Sequence, residues 1–184
     1  MTRRKPRTTR GGKPVAVIAD IDGVIVHDLA TGRKVDQAPI RVYARARMSA
    51  DGPVVAAISR EGEAMLWDLS GKGGLRTLEE SEYVDAVAVG RGLAATASGD
   101  RIQLSDPATG ERYGKPITSP TEVDAMAIGQ VGDRTILFTR GRYQPEYGYV
   151  RLWDVATGKP YGKALALRTT AMALARVKST ASRW

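Results

Sequence analysis

The sequence predicts an all-β protein built from about four copies of one small, four-stranded antiparallel sheet. Three observations predict it. Four segments align along the chain: VIVHDLATGRKV, AMLWDLSGKGGL, IQLSDPATGERYGKPI and VRLWDVATGKPYGKAL. A second element recurs between them, as VDAVAVG at Val84–Gly90 and VDAMAIG at Val123–Gly129. Polar turn signals such as REGE, SGDR and ATG interrupt the apolar runs every ~8–12 residues, which leaves little room for helices.

The aligned segments share Asp28, Asp68, Asp106 and Asp154, spaced 40, 38 and 48 residues apart. Propeller blades repeat at roughly 40–45 residues, and such a unit buries its apolar faces only against its neighbours. The expected architecture is therefore a β-propeller of about four blades, with units at approximately 14–40, 41–81, 82–120 and 121–168. Each unit opens on an inner strand. Val87 and Val89 alternate there with Ala86 and Ala88, the period of a strand, and small alanines suit a strand crowded near a central axis. ARARMSADG at 44–52 and TTAMALA at 169–175 read as further copies. An apolar run such as VVAAIS or TILFT follows, then a polar turn, then a strand ending at the shared aspartate. ATG turns the chain again, with Gly32, Gly110 and Gly158 free to take positive φ. A last short strand, such as YGKPI, leads outward. LEESEYVDAVAV and TTAMALARVK are rich in helix formers. As copies of one repeat they take one conformation, read here as strand.

The ends of the repeat array look complementary. The first unit starts at KPVAVIAD, the second strand of a blade, without a first strand; residues 169–177 supply a first strand with nothing after it. This C-terminal strand is expected to pair beside the N-terminal one and close a ring, covering exposed edges. Two alternatives stay open: two chains forming one eight-bladed ring, and a fragment of a longer propeller. Residues 178–184 read as a C-terminal tail.

Charge is concentrated at the N-terminus. The chain of 184 residues carries a formal +8, and 42% of it is hydrophobic, enough for a core. MTRRKPRTTRGGK contributes Arg3, Arg4, Lys5, Arg7, Arg10 and Lys13 with no acid, so residues 1–13 read as a basic, disordered tail. Such a tail offers contacts to nucleic acid or acidic partners. There is no cysteine, which excludes disulfides, thiolate metal sites and cysteine nucleophiles and suits a cytoplasmic protein. No apolar run approaches the ~18–20 residues of a membrane helix. No apolar segment follows the basic start, so no secretory signal is read. No cofactor or metal is implied.

Leu66-Trp67-Asp68 and Leu152-Trp153-Asp154 resemble the hallmark of the WD-repeat β-propeller family, and MSADG at Met48–Gly52 resembles that family's FSPDG element. The style of DAVAVG and LWDVATGKP is similar to bacterial, especially actinobacterial, members. The resemblance covers 14–177. It implies a non-catalytic protein-interaction scaffold, with Trp67 and Trp153 as packing residues and Asp28, Asp68, Asp106 and Asp154 as structural repeat positions. Departures are visible. His27 and Ser105 stand at the tryptophan position of the first and third repeats, and the family's Gly-His pair is absent. The family's turn aspartate maps onto Asp22 and Asp100, with Glu61 and Glu146 nearby in the other units. The side-chain network that braces a blade is therefore expected to be incomplete.

Two stretches bear on function. AVIADIDGVI resembles the first motif of haloacid dehalogenase-like phosphatases, in which Asp20 would be the nucleophile and Asp22 the acid/base beside Mg²⁺. That enzyme needs helices between its strands, and Asp22-Gly23 aligns instead with a repeated hairpin turn. The lone His27 sits at a packing position, and no metalloprotease, P-loop or nucleophile-elbow motif occurs. The fourth repeat is ten residues longer than the third. Most of the excess falls in RGRYQPEYGYV, where Arg142, Tyr143, Glu146, Tyr147 and Tyr149 read as a partner-binding loop. The partners expected are proteins, with nucleic acid as the alternative through the tail, and the chain is a monomer or a homodimer completing a propeller.

Overall fold

The computed structural model of the protein describes residues 9–10, 13–20, 23–40, 48–70, 74–78, 83–142 and 148–167. Every regular element among them is a strand. The first sheet holds β1 (Thr9–Arg10), β2 (Lys13–Asp20), β3 (Gly23–Asp28) and β4 (Lys34–Ala38). The second holds β5 (Met48–Asp51), β6 (Val54–Ile58), β7 (Ala64–Asp68) and β8 (Gly74–Thr77). The third holds β9 (Ala86–Gly90), β10 (Leu93–Ser98), β11 (Arg101–Ser105) and β12 (Arg112–Thr118). The fourth holds β13 (Val123–Val131), β14 (Arg134–Arg142), β15 (Gly148–Asp154), β16 (Lys159–Pro160) and β17 (Leu165–Leu167). Each is an antiparallel meander in sequence order, as the repeat predicts.

The first sheet differs from the expectation at its inner edge. Thr9 pairs with Pro14 and Arg10 with Lys13, so the sheet has a two-residue inner strand drawn from the basic segment. The backbone of residues 9–10 and 13 is thus paired, inside the stretch read as a disordered tail. The proposed closing strand at 169–177 lies outside the described residues, as does the tail at 178–184.

Three apolar layers hold the sheets together. Val15, Val24 and Val26 of the first sheet meet Val55, Ala57 and Trp67 of the second. Ala56, Ile58, Ala64 and Leu66 on the other side of the second sheet meet Val87, Val89 and Ala94 of the third. Ala88, Ala95, Ile102 and Leu104 of the third meet Ile128, Leu137 and Trp153 of the fourth. Period-two alternation explains this: each strand sends alternate side chains to the sheet before it and the sheet after it. That is why β9, the inner strand of the third sheet, reads Ala-Val-Ala-Val-Gly and is buried on both faces. A side-chain tie adds to the second layer. The guanidinium of Arg76 on β8 donates to the carbonyls of Pro107 and Ala108 in the turn after β11.

The repeated YGK has a structural explanation. β11 and β12 shift register between Ile102 and Leu104, and Gly114 stands in the extra stretch of β12 with φ 68°. Gly162 holds the same place in the fourth sheet with φ 74°, between β16 and β17, both of which pair with β15. Tyr-Gly-Lys therefore marks a bulge in the outer strand, where glycine supplies the left-handed residue.

Candidate functional site

The shared aspartates come first because they look most like chemistry. Asp28, Asp68 and Asp154 end the third strand of their sheets and Asp106 directly follows β11, and each caps the turn that comes next. Asp28 Oδ1 accepts from the amides of Ala30 (2.8 Å) and Thr31 (2.9 Å). Asp68 Oδ1 accepts from Ser70 (2.8 Å), and Asp106 Oδ1 from Ala108 (2.5 Å) and Thr109 (3.1 Å). Asp154 Oδ1 accepts from the amide of Thr157 (3.1 Å). In the three ATG turns the glycine amide then donates to the aspartate carbonyl at 2.8 Å, for Gly32, Gly110 and Gly158 alike. The threonine hydroxyl of each turn accepts from the amide two residues on, at 3.1–3.3 Å. Aspartate, threonine and glycine at these spacings are thus the parts of one turn. The backbone donors hold the Asp28 carboxyl below its ordinary value of 3.8.

The tryptophan position is divided. Trp67 and Trp153 are both buried, in the first and third apolar layers. Trp153 Nε1 donates to Thr139 Oγ1 at 2.9 Å. Across the second sheet, Ala57 occupies the place of Thr139 and offers no hydroxyl. His27 is half-buried and donates from Nδ1 to the Gly32 carbonyl at 3.1 Å, so it serves its turn rather than an apolar layer. Ser105 is buried. The hydroxyl–indole pair is made at Trp153, whereas Ala57 leaves no hydroxyl at the equivalent place of the second sheet.

Of the two aspartates in AVIADIDGVI, Asp20 ends β2 and pairs with Gly23, the first residue of β3. Ile21 and Asp22 lie outside the described residues. Among the described residues every sheet is antiparallel and no helix occurs, whereas a haloacid dehalogenase-like site requires a helix-flanked parallel sheet. Among the described residues no group of three His, Cys, Asp or Glu side chains is placed to hold a metal ion.

A cleft of about 560 Å³ opens between the third and fourth sheets. Its walls are the β9–β10 turn with Arg91, Tyr113 of β12, the β13–β14 turn with Asp133 and Arg134, and the β15–β16 turn from Asp154 to Thr157. Arg134 reaches from the solvent side to the buried Asp154, Nη1 to Oδ2 at 2.7 Å. This pairing, with the Thr157 amide, holds Asp154 below the ordinary carboxylate value and raises Arg134. The repeat aspartate of the fourth sheet is therefore both a turn cap and one wall of the cleft. The lining mixes two guanidinium groups, two carboxylates and a phenol, a surface suited to recognising polar groups. The sequence pattern singled out Asp154 here but neither Arg91 nor Arg134, because Arg91 stands in, and Arg134 directly after, a hairpin turn that varies between repeats.

Of the predicted loop, Tyr149 is half-buried on β15, and its backbone pairs with Gly141 and Ala166. Arg142 ends β14 opposite Gly148. Tyr143, Glu146 and Tyr147 lie outside the described residues. Beneath the loop, Arg140 grips Asp124 with two hydrogen bonds, Nε to Oδ1 at 2.7 Å and Nη2 to Oδ2 at 2.9 Å. The repeated VDA was the signal for this acid. Its other copy, Asp85, accepts from the amide of Gly99 at 2.9 Å at the equivalent hairpin of the third sheet.

No family model and no curated protein matches the chain. Solved structures do. The WD40 repeats of RRP9 are similar over 80% of this chain and 46% of their own, at 18% identity and TM-score 0.60. A chain of the mitotic checkpoint complex is similar over 85% of this chain and 48% of its own, at 18% identity and TM-score 0.60. The computationally designed Ika4 protein matches over 82% of this chain and 89% of its own, at 17% identity and TM-score 0.56. The chain spans about half the length of the RRP9 and checkpoint chains. Its succession of small antiparallel sheets has the fold of the β-propeller structures it matches, among them WD40 repeats.

Proposed function

We propose that this chain is a non-catalytic, cytoplasmic scaffold that binds protein partners. One observation carries the reading. The repeated residues that resemble chemistry are engaged in holding turns and layers, so what distinguishes one blade from another lies in its loops. The fourth blade has the richest of these, Arg142 to Tyr149, rooted on the Arg140–Asp124 pair. Tyrosine and arginine are the side chains that most often dominate protein interfaces. Partner capture from the native host, followed by a Tyr143→Ala/Tyr147→Ala variant, tests this. Binding reduced at least tenfold with an unchanged melting temperature is expected; unchanged binding would sink the loop assignment.

The N-terminal charge favours a second reading. Residues 1–13 carry six cationic side chains and no acid. On this reading they contact nucleic-acid phosphates, and affinity falls steeply with salt. Deleting residues 1–8, which leaves β1 in place, distinguishes the two readings. Loss of salt-sensitive nucleic-acid binding supports the second and leaves protein binding intact.

A further inference from the structure

Repeat geometry makes each sheet interchangeable at its interfaces, so burial at equivalent positions can be compared directly. Ile18 on β2 corresponds to Ala57, Thr96 and Thr139 in the other three sheets, counted back from the shared aspartate across the same ladder. Those three are 0%, 2% and 1% exposed, whereas Ile18 is 50% exposed. It stands on the face of the first sheet that points away from the second, together with the half-buried Ala16, Ile25 and His27. The opposite end of the array repeats the pattern. Leu152 corresponds to Val26, Leu66 and Leu104, all buried in the layer toward the following sheet. In the fourth sheet Leu152 is only half-buried, as are Ala127 and Phe138 beside it, and no described sheet follows.

An apolar layer is thus missing one partner at each end, and the two incomplete halves are of complementary kind. One is a face that receives a preceding sheet and the other a face that receives a following one. None of the three apolar layers among the described residues joins the first sheet to the fourth. The chain also covers 46% and 48% of the natural propeller chains it resembles, so its four sheets account for about half of such a chain.

We propose that a second copy of this chain supplies both missing partners, the fourth sheet of each packing on the first sheet of the other, so that two chains close one ring of eight sheets. The contact is head-to-tail, continues the existing inter-sheet layers, and closes after two copies as a two-fold dimer. Ile18, Ile25, Phe138 and Leu152 are its apolar centre. The inference does not depend on what the ring binds.

The test uses the full chain, which has no cysteine. Light scattering behind size exclusion should give twice the 19.8 kDa chain mass. Two single variants, Ile18→Cys and Leu152→Cys, are then mixed, exchanged by dilution and treated with a short bismaleimide. A covalent dimer is expected in the mixture and in neither variant alone. Ile18→Glu, at a site open enough to accept a charge, should convert the dimer to a monomer with unchanged circular dichroism. A wild-type monomer would overturn the proposal, since the ring would then close within one chain or stay open. So would a ladder of larger species, the mark of ends that do not close. A dimer that survives Ile18→Glu and yields no mixed cross-link would overturn it as well, because its interface would lie elsewhere.

Discussion

Removing the Thr139 hydroxyl isolates the energetic role of the Trp153 indole hydrogen bond. Thr139→Val keeps the volume and the β-branch and replaces the acceptor with a methyl group. The Trp153 indole, on a residue only 4% exposed, then loses its partner at 2.9 Å, and Thr139 itself is 1% exposed, so water cannot readily substitute. A buried donor left without a partner costs about 1–3 kcal/mol. Thr139→Ser keeps the hydroxyl and loses a methyl group, worth about 1 kcal/mol by transfer alone. The two variants therefore separate hydrogen bonding from packing. A double-mutant cycle with Trp153→Phe, which removes the donor, should show a coupling of about 1 kcal/mol, since the pair is lost only once. Urea unfolding followed by circular dichroism gives each value. If Thr139→Val lost less than Thr139→Ser and the cycle closed without coupling, the indole would be held by shape alone.

Three further outcomes follow from the same geometry. At Gly62, φ is +89° and an added Cβ would lie 2.1 Å from the Tyr83 ring, while at Gly114 φ is +68° and the space is open. Gly114→Ala should therefore cost only the left-handed backbone penalty of about 1–2 kcal/mol, and Gly62→Ala distinctly more, read as a larger drop in melting temperature; equal losses would refute the ring contact. Acid stability should depend on Asp154 and Asp28, whose folded-state values lie below the ordinary 3.8. The unfolded chain then binds more protons, so their contribution is present above that value and is lost as pH falls through the lower, folded one. Asp154→Asn should flatten the melting temperature against pH over that acid range, and an unchanged slope would count against the Arg134 pairing. Substituting Arg76 by Met should loosen the tie to the Pro107–Ala108 turn, seen as faster amide exchange at Thr109 and Gly110 with little change elsewhere.

The parts of this fold that were legible in the sequence are those written by periodicity and by local turns. The aspartate-to-glycine turns repeat their bonds within five residues, so aligned letters were enough to find them. Alternation of Ala and Val named the inner strands. What stayed hidden depends on register across a hairpin or on contact between distant turns. Thr139 meets Trp153 fourteen positions later, beyond a loop whose length no pattern fixes. Arg134 finds Asp154 on the neighbouring strand, twenty residues along the chain, through the register that sets Ile136 opposite Asp154. Thr9–Arg10 forms a strand too short for any periodicity, inside a run of charge that reads as tail. YGK was visible as a repeat, yet its meaning as a bulge needed the paired strand beside it.

The distribution of polar groups says why such a fold tolerates change. The repeated aspartates spend their lone pairs on the backbone of their own turn. A substitution in a neighbouring hairpin therefore leaves each turn intact, as when the short Arg91–Gly92 turn of the third sheet is replaced by Gly132–Asp133 in the fourth. Where an unrepeated side chain does engage a repeated one, as Arg134 does with Asp154, the turn gains a charged lining without losing its cap. The cleft between the third and fourth sheets is built this way. Its floor belongs to the repeat and its rim to the individual blade, so the rim can change its chemistry while the blade that carries it keeps its shape.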